Sequence, residues 1–155
     1  MTRVAVEQLS AEHQAAIRKW QKASERNKRP QADKKASLCA FGYEFDSQLE
    51  VDFARELERW LEDKTIADWR YHPLRFRLAK GVTYEPDFRV LSHGIVPRLT
   101  FYEVKGSWKA KNARDSRTRL KIAASMNQWC GWYGVTREKG VWKFETIHAS
   151  GEEHD

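Results

Sequence analysis

Two stretches of the sequence decide the fold: Tyr84-Glu85-Pro86-Asp87-Phe88 and Glu103-Val104-Lys105-Gly106. Each belongs to a segment with the composition of a β-strand, and the loop between them, at 92–98, contains a glycine and a proline. Residues two apart in a strand share a face, so Glu103 and Lys105 point to the same side of the sheet. If the two strands pair, we expect Asp87 and Glu103 to meet at the edge of the sheet.

The convergence of Asp87 and Glu103 has a chemical consequence. Two neighbouring carboxylates repel each other unless a cation lies between them, and hard oxygen ligands select Mg²⁺ or Mn²⁺. Lys105 can hold a water molecule or a phosphate oxygen beside that ion. Taken singly, Asp87 is also explained as a turn residue, and Glu103 and Lys105 as an exposed pair. Together the three residues predict a metal site that handles phosphate.

Outward from these strands, the sequence alternates between helical and extended patterns. Apolar residues at helical spacing predict one helix from Ser10 to about Arg26, one opened by Asp46-Ser47 and ending near Asp63, and one at 115–126. Alternating patterns predict strands at 74–78, 82–91 and 99–105, and a closing hairpin formed by 129–136 and 141–148. This order predicts an α/β fold in which helices enclose a mixed sheet.

The helix opened by Asp46-Ser47 carries a glutamate with two interpretations. Ser47 and Glu50 form the S-x-x-E pattern of a capping box, in which Glu50 only stabilises the start of the helix. Glu50 also lies beside the apolar stripe, so it can turn toward the sheet and bind the metal ion. We favour the metal role because Asp87, Glu103 and Lys105, the other residues of the predicted site, are present. Glu56 is the second choice for this role.

The combination of Ser47-x-Leu49-Glu50, Tyr84-x-Pro86-Asp87-Phe88 and Glu103-x-Lys105-Gly106-x-Trp108 resembles the PD-(D/E)XK nuclease superfamily over roughly residues 43–136. Within that superfamily the pattern is most similar to small phage junction-resolving endonucleases. The resemblance implies a restriction-endonuclease-like core, with a mixed sheet of four or five strands flanked by helices. It also implies metal-dependent hydrolysis of DNA phosphodiester bonds, leaving a 5′-phosphate, on branched or junction DNA in recombination or phage DNA processing.

The resemblance assigns a role to each residue of the site. Asp87 and Glu103 bind Mg²⁺, which Mn²⁺ can replace, together with the backbone carbonyl of Val104. Glu50 completes this metal site or holds a second ion. Lys105 orients the attacking water and helps it to lose a proton. The metal supplies positive charge at the attacking and leaving oxygens. The predicted catalytic residues are therefore Glu50, Asp87, Glu103 and Lys105.

The charge of the chain favours a polyanionic partner. Among 155 residues, 28 are lysine or arginine and 22 are aspartate or glutamate, which gives a net charge of +6. The residues predicted to contact DNA follow the second motif: Lys109, Lys111, Arg114, Arg117 and Lys121. Those at 114, 117 and 121 share a helix face, which suits contact with phosphates.

The tryptophans have a structural and a functional interpretation. Trp108 either stacks at distorted DNA or packs in the core. Trp129, Trp132 and Trp142 alternate with small residues in the closing hairpin and are expected in the core.

The chain is predicted to divide into an N-terminal helix and basic arm (1–37), a nuclease domain (38–148) and a polar tail (149–155). The first helix has a thin apolar stripe of Leu9, Ile17 and Trp20, which this chain's own core or a second copy must cover. Branched DNA presents two backbones, and a two-fold dimer places two sites on them symmetrically. We therefore expect a homodimer whose interface includes residues 1–37, with 27–37 against DNA.

The remaining composition excludes several classes of protein. Two distant cysteines, Cys39 and Cys130, exclude a disulfide framework and a cysteine-based zinc site, and favour a cytoplasmic setting in a bacterial or phage-infected cell. No apolar run approaches the roughly 18 residues of a membrane span.

Two alternative functions remain, a Tn7-like transposon-end subunit that cuts strands with partner proteins, and a DNA-binding module without catalysis. The joint presence of Asp87, Glu103 and Lys105 argues against the latter.

Overall fold

The computed structural model describes residues 9–26 and 38–148. The helices in this part of the chain are α1 (Ala11–Arg26), α2 (Gln48–Glu62) and α3 (Lys111–Met126). The strands are β1 (Leu38–Ala40), β2 (Tyr43–Phe45), β3 (Ile66–Tyr71), β4 (Phe76–Ala79), β5 (Val82–Tyr84), β6 (Phe88–Ser92), β7 (Leu99–Val104), β8 (Gly131–Glu138) and β9 (Val141–Thr146). β1 pairs with β2, and β4 with β5, in two separate hairpins.

Five strands form the central sheet, in the order β3-β6-β7-β8-β9. Three of the four neighbouring pairs of strands are antiparallel, whereas β7 and β8 are parallel to each other. Parallel strands need a long crossover connection, and α3 provides it. The prediction of an α/β fold with a mixed sheet is therefore confirmed.

Helices cover both faces of the sheet because each face carries its own buried apolar side chains. On one face, Phe53 of α2 packs against Phe88 of β6 with ring centroids 5.2 Å apart. On the other face, Leu120 of α3 joins Phe101 of β7 in a cluster that also includes α1 and the β4–β5 hairpin. Full burial of such side chains stabilises the fold by about 1.5–3 kcal/mol each.

The strands differ from the predicted ones at three places, one of which is the short β1–β2 hairpin that the sequence pattern did not predict. The predicted strand at 82–91 is wrong, since Pro86, which has no N–H to donate, separates β5 from β6 and the two belong to different sheets. The sequence pattern also missed β3, because a bulge between Ile66 and Asp68 interrupts its alternation. The third helix begins at Lys111 rather than at 115.

The apolar stripe of α1 is covered by this chain's own core. Leu9, Ile17 and Trp20 are buried in the same cluster as α3 and the β4–β5 hairpin. The guanidinium of Arg119 in α3 lies 4.3 Å from the centroid of the Trp20 ring. Because the chain's own core covers the stripe, the stripe does not place α1 in a dimer interface. The homodimer itself stays a prediction. The rest of the predicted arm, at 1–8 and 27–37, and the tail, at 149–155, lie outside the described residues.

The three tryptophans expected in the core differ from one another. Trp132 is 2% exposed and Trp142 is half-buried against the α2 side of the sheet. Trp129 is 56% exposed, so the prediction is wrong for this residue, which lies in the turn before β8.

None of the helices within the described residues has the length and apolar character needed to cross a membrane.

Candidate active site

Asp87 and Glu103 lie next to each other at one end of the paired strands β6 and β7. Asp87 directly precedes β6, and Glu103 lies in β7, one step beyond the paired residues Phe88 and Tyr102. Both carboxylates are buried, with 7% and 3% exposed. The backbone N–H of Val104 donates a hydrogen bond of 2.7 Å to Oδ2 of Asp87. The structure thus brings the two residues together, at the ends of inner strands rather than at the sheet's outer edge.

Glu103 is engaged at both carboxylate oxygens. Nζ of Lys105 lies 2.9 Å from Oε1, and the hydroxyl of Tyr84 donates a hydrogen bond of 2.7 Å to Oε2. Burial, followed by the negative charge of Asp87, raises the pKa of Glu103 to about 7, although Lys105 and Tyr84 act in the opposite direction. The ionised form of Glu103 is therefore disfavoured by its surroundings, and a bound cation would relieve this.

Lys105 lies between the buried carboxylates and the solvent. It follows β7 directly, its backbone N–H donates to the carbonyl of Val135 in β8 at 2.8 Å, and its side chain is 27% exposed. Burial alone would lower the pKa of Lys105, but the charges of Asp87 and Glu103 outweigh burial and raise it. Lys105 is therefore a cation at neutral pH.

Glu50 caps its helix and also faces the site. The Glu50 backbone N–H donates to Oγ of Ser47 at 3.3 Å, and that hydroxyl donates back to Oε1 at 3.0 Å. Its other oxygen, Oε2, accepts a hydrogen bond of 2.6 Å from the hydroxyl of Tyr71. Burial, followed by the charge of Asp87, raises the pKa of Glu50. Ser47 thus caps α2, while the Glu50 carboxylate accepts from the Ser47 hydroxyl and from the N–H of Asp46, and the metal role of Glu50 stays a prediction.

Two residues that sequence reasoning missed, Tyr71 and His72, complete the site at the end of β3. Their rings stack with centroids 4.0 Å apart and planes 17° apart. The backbone N–H of His72 donates to the carbonyl of Asp87 at 2.8 Å, and Nε2 lies 3.9 Å from Oδ1 of Asp87. This side-chain interaction with Asp87 raises the pKa of His72. The φ angle of His72 is 41°, an uncommon conformation for a residue with a Cβ atom.

The sequence feature that could have identified Tyr71 and His72 as site residues is the strand at whose end they lie. A strand predicted at 66–71 would have ended beside the two motif strands and brought both side chains to the site. Because the bulge in β3 hid that strand, the sequence offered no reason to choose these residues.

The donor set suits a hard divalent cation through two carboxylates. Within residues 9–26 and 38–148, no group of three or more His, Cys, Asp or Glu side chains is arranged to hold a metal ion. The side chains that fit are the pair Asp87 and Glu103. Mg²⁺ keeps several waters and binds proteins through one or two carboxylates plus substrate phosphates, so a pair is sufficient. Glu56, the second choice in α2, pairs instead with Arg59 at an exposed position.

The residues predicted to contact DNA lie beyond the site, in the loop before α3 and on α3 itself. Four of them are exposed: Lys109, Lys111, Arg114 and Lys121. Arg117 differs, because it pairs with Glu145 of β9 and its guanidinium lies 5.5 Å from the centroid of the Trp108 ring. Part of the charge of Arg117 is therefore already neutralised within the protein.

Trp108 packs against the sheet. It is half-buried beside the cluster under α3, and a Cβ atom added at Gly134 in β8 would lie 2.7 Å from its ring. The ring therefore lies directly over Gly134, where any larger residue would require the ring to shift. Of the two interpretations of Trp108, the packing role is the one seen.

Comparisons with protein-family models, with curated proteins and with solved structures find no match. A function for this chain is therefore inferred from the residues of the site and their geometry.

Proposed function

We propose that this chain is a metal-dependent DNA endonuclease that hydrolyses phosphodiester bonds in branched or junction DNA. One observation carries the proposal: Asp87 and Glu103 are buried side by side at the ends of adjacent strands, and Lys105 contacts Glu103 at 2.9 Å. Two buried carboxylates that repel each other are unfavourable for folding, and such perturbed groups cluster at functional sites. A divalent cation and a phosphate group together match this arrangement of charge.

The architecture supports the same proposal. The resemblance to the PD-(D/E)XK superfamily implies a mixed sheet of four or five strands with helices on both faces. The central sheet has five strands in mixed orientation, and α2 and α3 pack on opposite faces. A restriction-endonuclease-like core is the finer assignment that we propose for it.

Each residue of the site has a role in the proposed reaction. Asp87, Glu103 and the carbonyl of Val104 would hold Mg²⁺, or Mn²⁺ in its place, with Glu50 beside them. When bound, the ion supplies positive charge to the reacting phosphate and lowers the pKa of water. Asp87 and Glu103 keep Lys105 protonated, so Nζ donates hydrogen bonds to the attacking water or to a phosphate oxygen and orients it.

Two tyrosines hold the carboxylates in place. The hydroxyl of Tyr84 bonds to Glu103 at 2.7 Å and that of Tyr71 to Glu50 at 2.6 Å, so one oxygen of each carboxylate is fixed. Burial raises the pKa of both tyrosines, which therefore remain protonated donors at neutral pH. Such support lowers the reorganisation needed when substrate binds.

DNA binding is assigned to the exposed basic residues that follow the site. Lys109 lies in the connection from Lys105 to α3, Lys111 is the first residue of α3, and Arg114 and Lys121 extend the positive surface along the helix. Contacts to phosphates position a nucleic acid without reading its sequence. This is the behaviour expected of an enzyme that recognises DNA structure.

The test is cleavage by the purified chain alone of a four-way junction and of a linear duplex of the same sequence. We expect junction cleavage with Mg²⁺ or Mn²⁺ and none in EDTA. Asp87→Asn and Glu103→Gln abolish it, whereas Glu85→Gln, which removes a nearby carboxylate paired with Arg75, leaves it unchanged.

The other outcomes distinguish the alternatives. Full activity of Asp87→Asn or Glu103→Gln would contradict the assignment of the site. Cleavage only after partner proteins are added would favour the transposon-end subunit. Tight DNA binding without cleavage under any metal condition would favour the non-catalytic module.

A further inference from the structure

The central sheet has two outer strands within the described part of the chain, and they differ. β3 is interrupted by the bulge between Ile66 and Asp68, and bulges disturb the row of backbone groups that an edge strand offers. β9 pairs with β8 from Val141 to Thr146 without any shift of register. An unbroken edge strand is a template on which another strand can pair.

The turn between β8 and β9 sets which backbone groups of β9 face outward. Lys139 and Gly140 form a two-residue loop with φ angles of 49° and 81°, as in a type I′ hairpin. In such a hairpin the flanking residues, Glu138 and Val141, exchange both backbone hydrogen bonds. Every second residue of β9, counted from Val141, therefore bonds to β8.

A hydrogen bond just beyond the end of β9 agrees with this alternation. The N–H of Ile147 donates to the carbonyl of Trp132 at 2.9 Å, an even number of residues from Val141. The N–H and C=O groups of the intervening residues, Trp142, Phe144 and Thr146, therefore point away from β8. They form a row of donors and acceptors along the outer edge of the described sheet.

We propose that β9 is a homodimer interface, in which it pairs antiparallel with β9 of a second copy about a two-fold axis at Phe144. In this register Phe144 faces its own equivalent and Trp142 faces Thr146, and about six backbone hydrogen bonds form. Lys143 faces Glu145 of the second copy twice, once on each side of the axis, and each Glu145 also keeps its pair with Arg117 of its own chain. The two sheets join into one continuous sheet.

Several registers would pair the outward-facing backbone groups of the two β9 strands, and the charged side chains favour this one. An axis at Lys143 or at Glu145 would place like charges directly opposite each other, which is destabilising. An axis at Trp142 would leave Phe144 opposite Gly140, without an apolar partner. Only the axis at Phe144 pairs opposite charges and covers the Phe144 ring, which is 43% exposed in the single chain.

The interface differs from the one expected for residues 1–37, and it does not depend on the proposed function. Its test needs no DNA and measures only association of the full chain, by sedimentation velocity over a range of concentrations. We expect a dimer whose dissociation constant rises roughly tenfold or more for Lys143→Glu and for Glu145→Lys, since opposed like charges replace two attractive pairs. Mixing the two variants restores association. Lys22→Glu, an exposed lysine on α1, is the control and has no effect.

A second measurement tests the register directly. In a background of Cys39→Ser and Cys130→Ser, Lys143→Cys and Glu145→Cys are prepared separately and then mixed. Directly opposed residues lie within the range of Cα distances that a disulfide requires, so the mixture forms a covalent dimer faster than either variant alone. A monomeric wild-type chain, a dimer indifferent to both charge reversals, or equal cross-linking of single and mixed variants would each overturn the proposal.

Discussion

The backbone N–H of Val104 donates to the carboxylate of Asp87 across 2.7 Å, and so links the end of β7 to the residue that precedes β6. The carbonyl of Val104 is also a proposed metal ligand. Val104 would therefore position Asp87 through its N–H and bind the same metal ion through its carbonyl. An asparagine at position 87 keeps the acceptor for this hydrogen bond, which allows chemistry and folding to be separated.

Asp87→Asn is expected to lower the cleavage rate by about 10²-fold or more without loss of stability. The amide oxygen still accepts from Val104, and the charge that opposes ionisation of Glu50 and Glu103 is gone. Cleavage assays and urea denaturation at neutral pH check both parts. An active variant, or one destabilised by more than about 1 kcal/mol, would contradict the role given to Asp87.

Glu103 is expected to make the folded state less stable as pH rises. Its pKa is about 7 in the folded chain against an ordinary 4.5, so the folded state binds this proton more tightly than the unfolded state does. Its stabilising contribution is complete below about pH 4.5 and is lost as pH rises through 7, on the order of 3 kcal/mol. Urea denaturation between pH 4.5 and 8 should show this slope for Glu138→Gln, an exposed control, and a weaker one for Glu103→Gln.

Divalent metal is expected to raise the thermal stability of the chain at neutral pH. A cation between Asp87 and Glu103 binds the folded state only, and at a hundred times its dissociation constant it stabilises by about 2.7 kcal/mol. Melting curves with and without Mg²⁺ or Mn²⁺ measure this shift. It should vanish in Asp87→Asn and persist in Glu56→Gln.

The two interpretations of Glu50 are separated by the same measurement. Glu50→Gln loses the metal-induced shift if this carboxylate binds the ion. If Glu50 only caps α2, the variant keeps that shift and its stability in the absence of metal changes little, because a glutamine oxygen accepts the same hydrogen bonds from the start of the helix.

Lys105→Met is expected to lower the cleavage rate by about 10²-fold while DNA affinity changes only a few-fold. The side chain approaches Glu103 to 2.9 Å, so its ammonium group lies beside the proposed metal ligands rather than on the exposed basic surface. Single-turnover cleavage and equilibrium binding on the same junction check the two quantities. A parallel collapse of affinity would instead make Lys105 a phosphate contact.

Arg114→Ala combined with Lys121→Ala is expected to weaken DNA binding regardless of sequence. Each lost phosphate contact lowers the slope of log K against log salt concentration by roughly 0.9. Titrations at several salt concentrations measure this slope. Arg55→Ala removes an exposed arginine of α2 that pairs with Asp52, and its slope should match that of the wild type.

The sequence predicted the parts of the fold that have a regular apolar pattern. The helical spacing of apolar residues predicted α2, and the alternation of apolar and polar residues predicted β7 and the β8–β9 hairpin. The break at Pro86 was underestimated, although a proline without an N–H is a physical reason to end a ladder. β3 was missed because its bulge shifts buried residues from the expected positions.

The candidate site was predictable only where local spacing determines geometry. Glu103 and Lys105 are two apart in one segment, and Asp87 precedes the strand that pairs with it. Tyr71 and His72 reach the site through pairing between β3 and β6, a long-range contact that no local pattern encodes. The ion pair that engages Arg117 with Glu145 is of the same kind.

The contact between Trp108 and Gly134 connects the candidate site to α3 by close packing. Trp108 lies in the short connection from Lys105 to α3, and its ring packs over Gly134 of β8, where a Cβ atom would be too close. A methyl group at position 134 would lie 2.7 Å from the Trp108 ring, so the ring and the connection that carries it would have to shift. Under the proposed function, a glycine that contacts neither the metal nor the DNA would thus set the distance between the basic residues of α3 and the carboxylates.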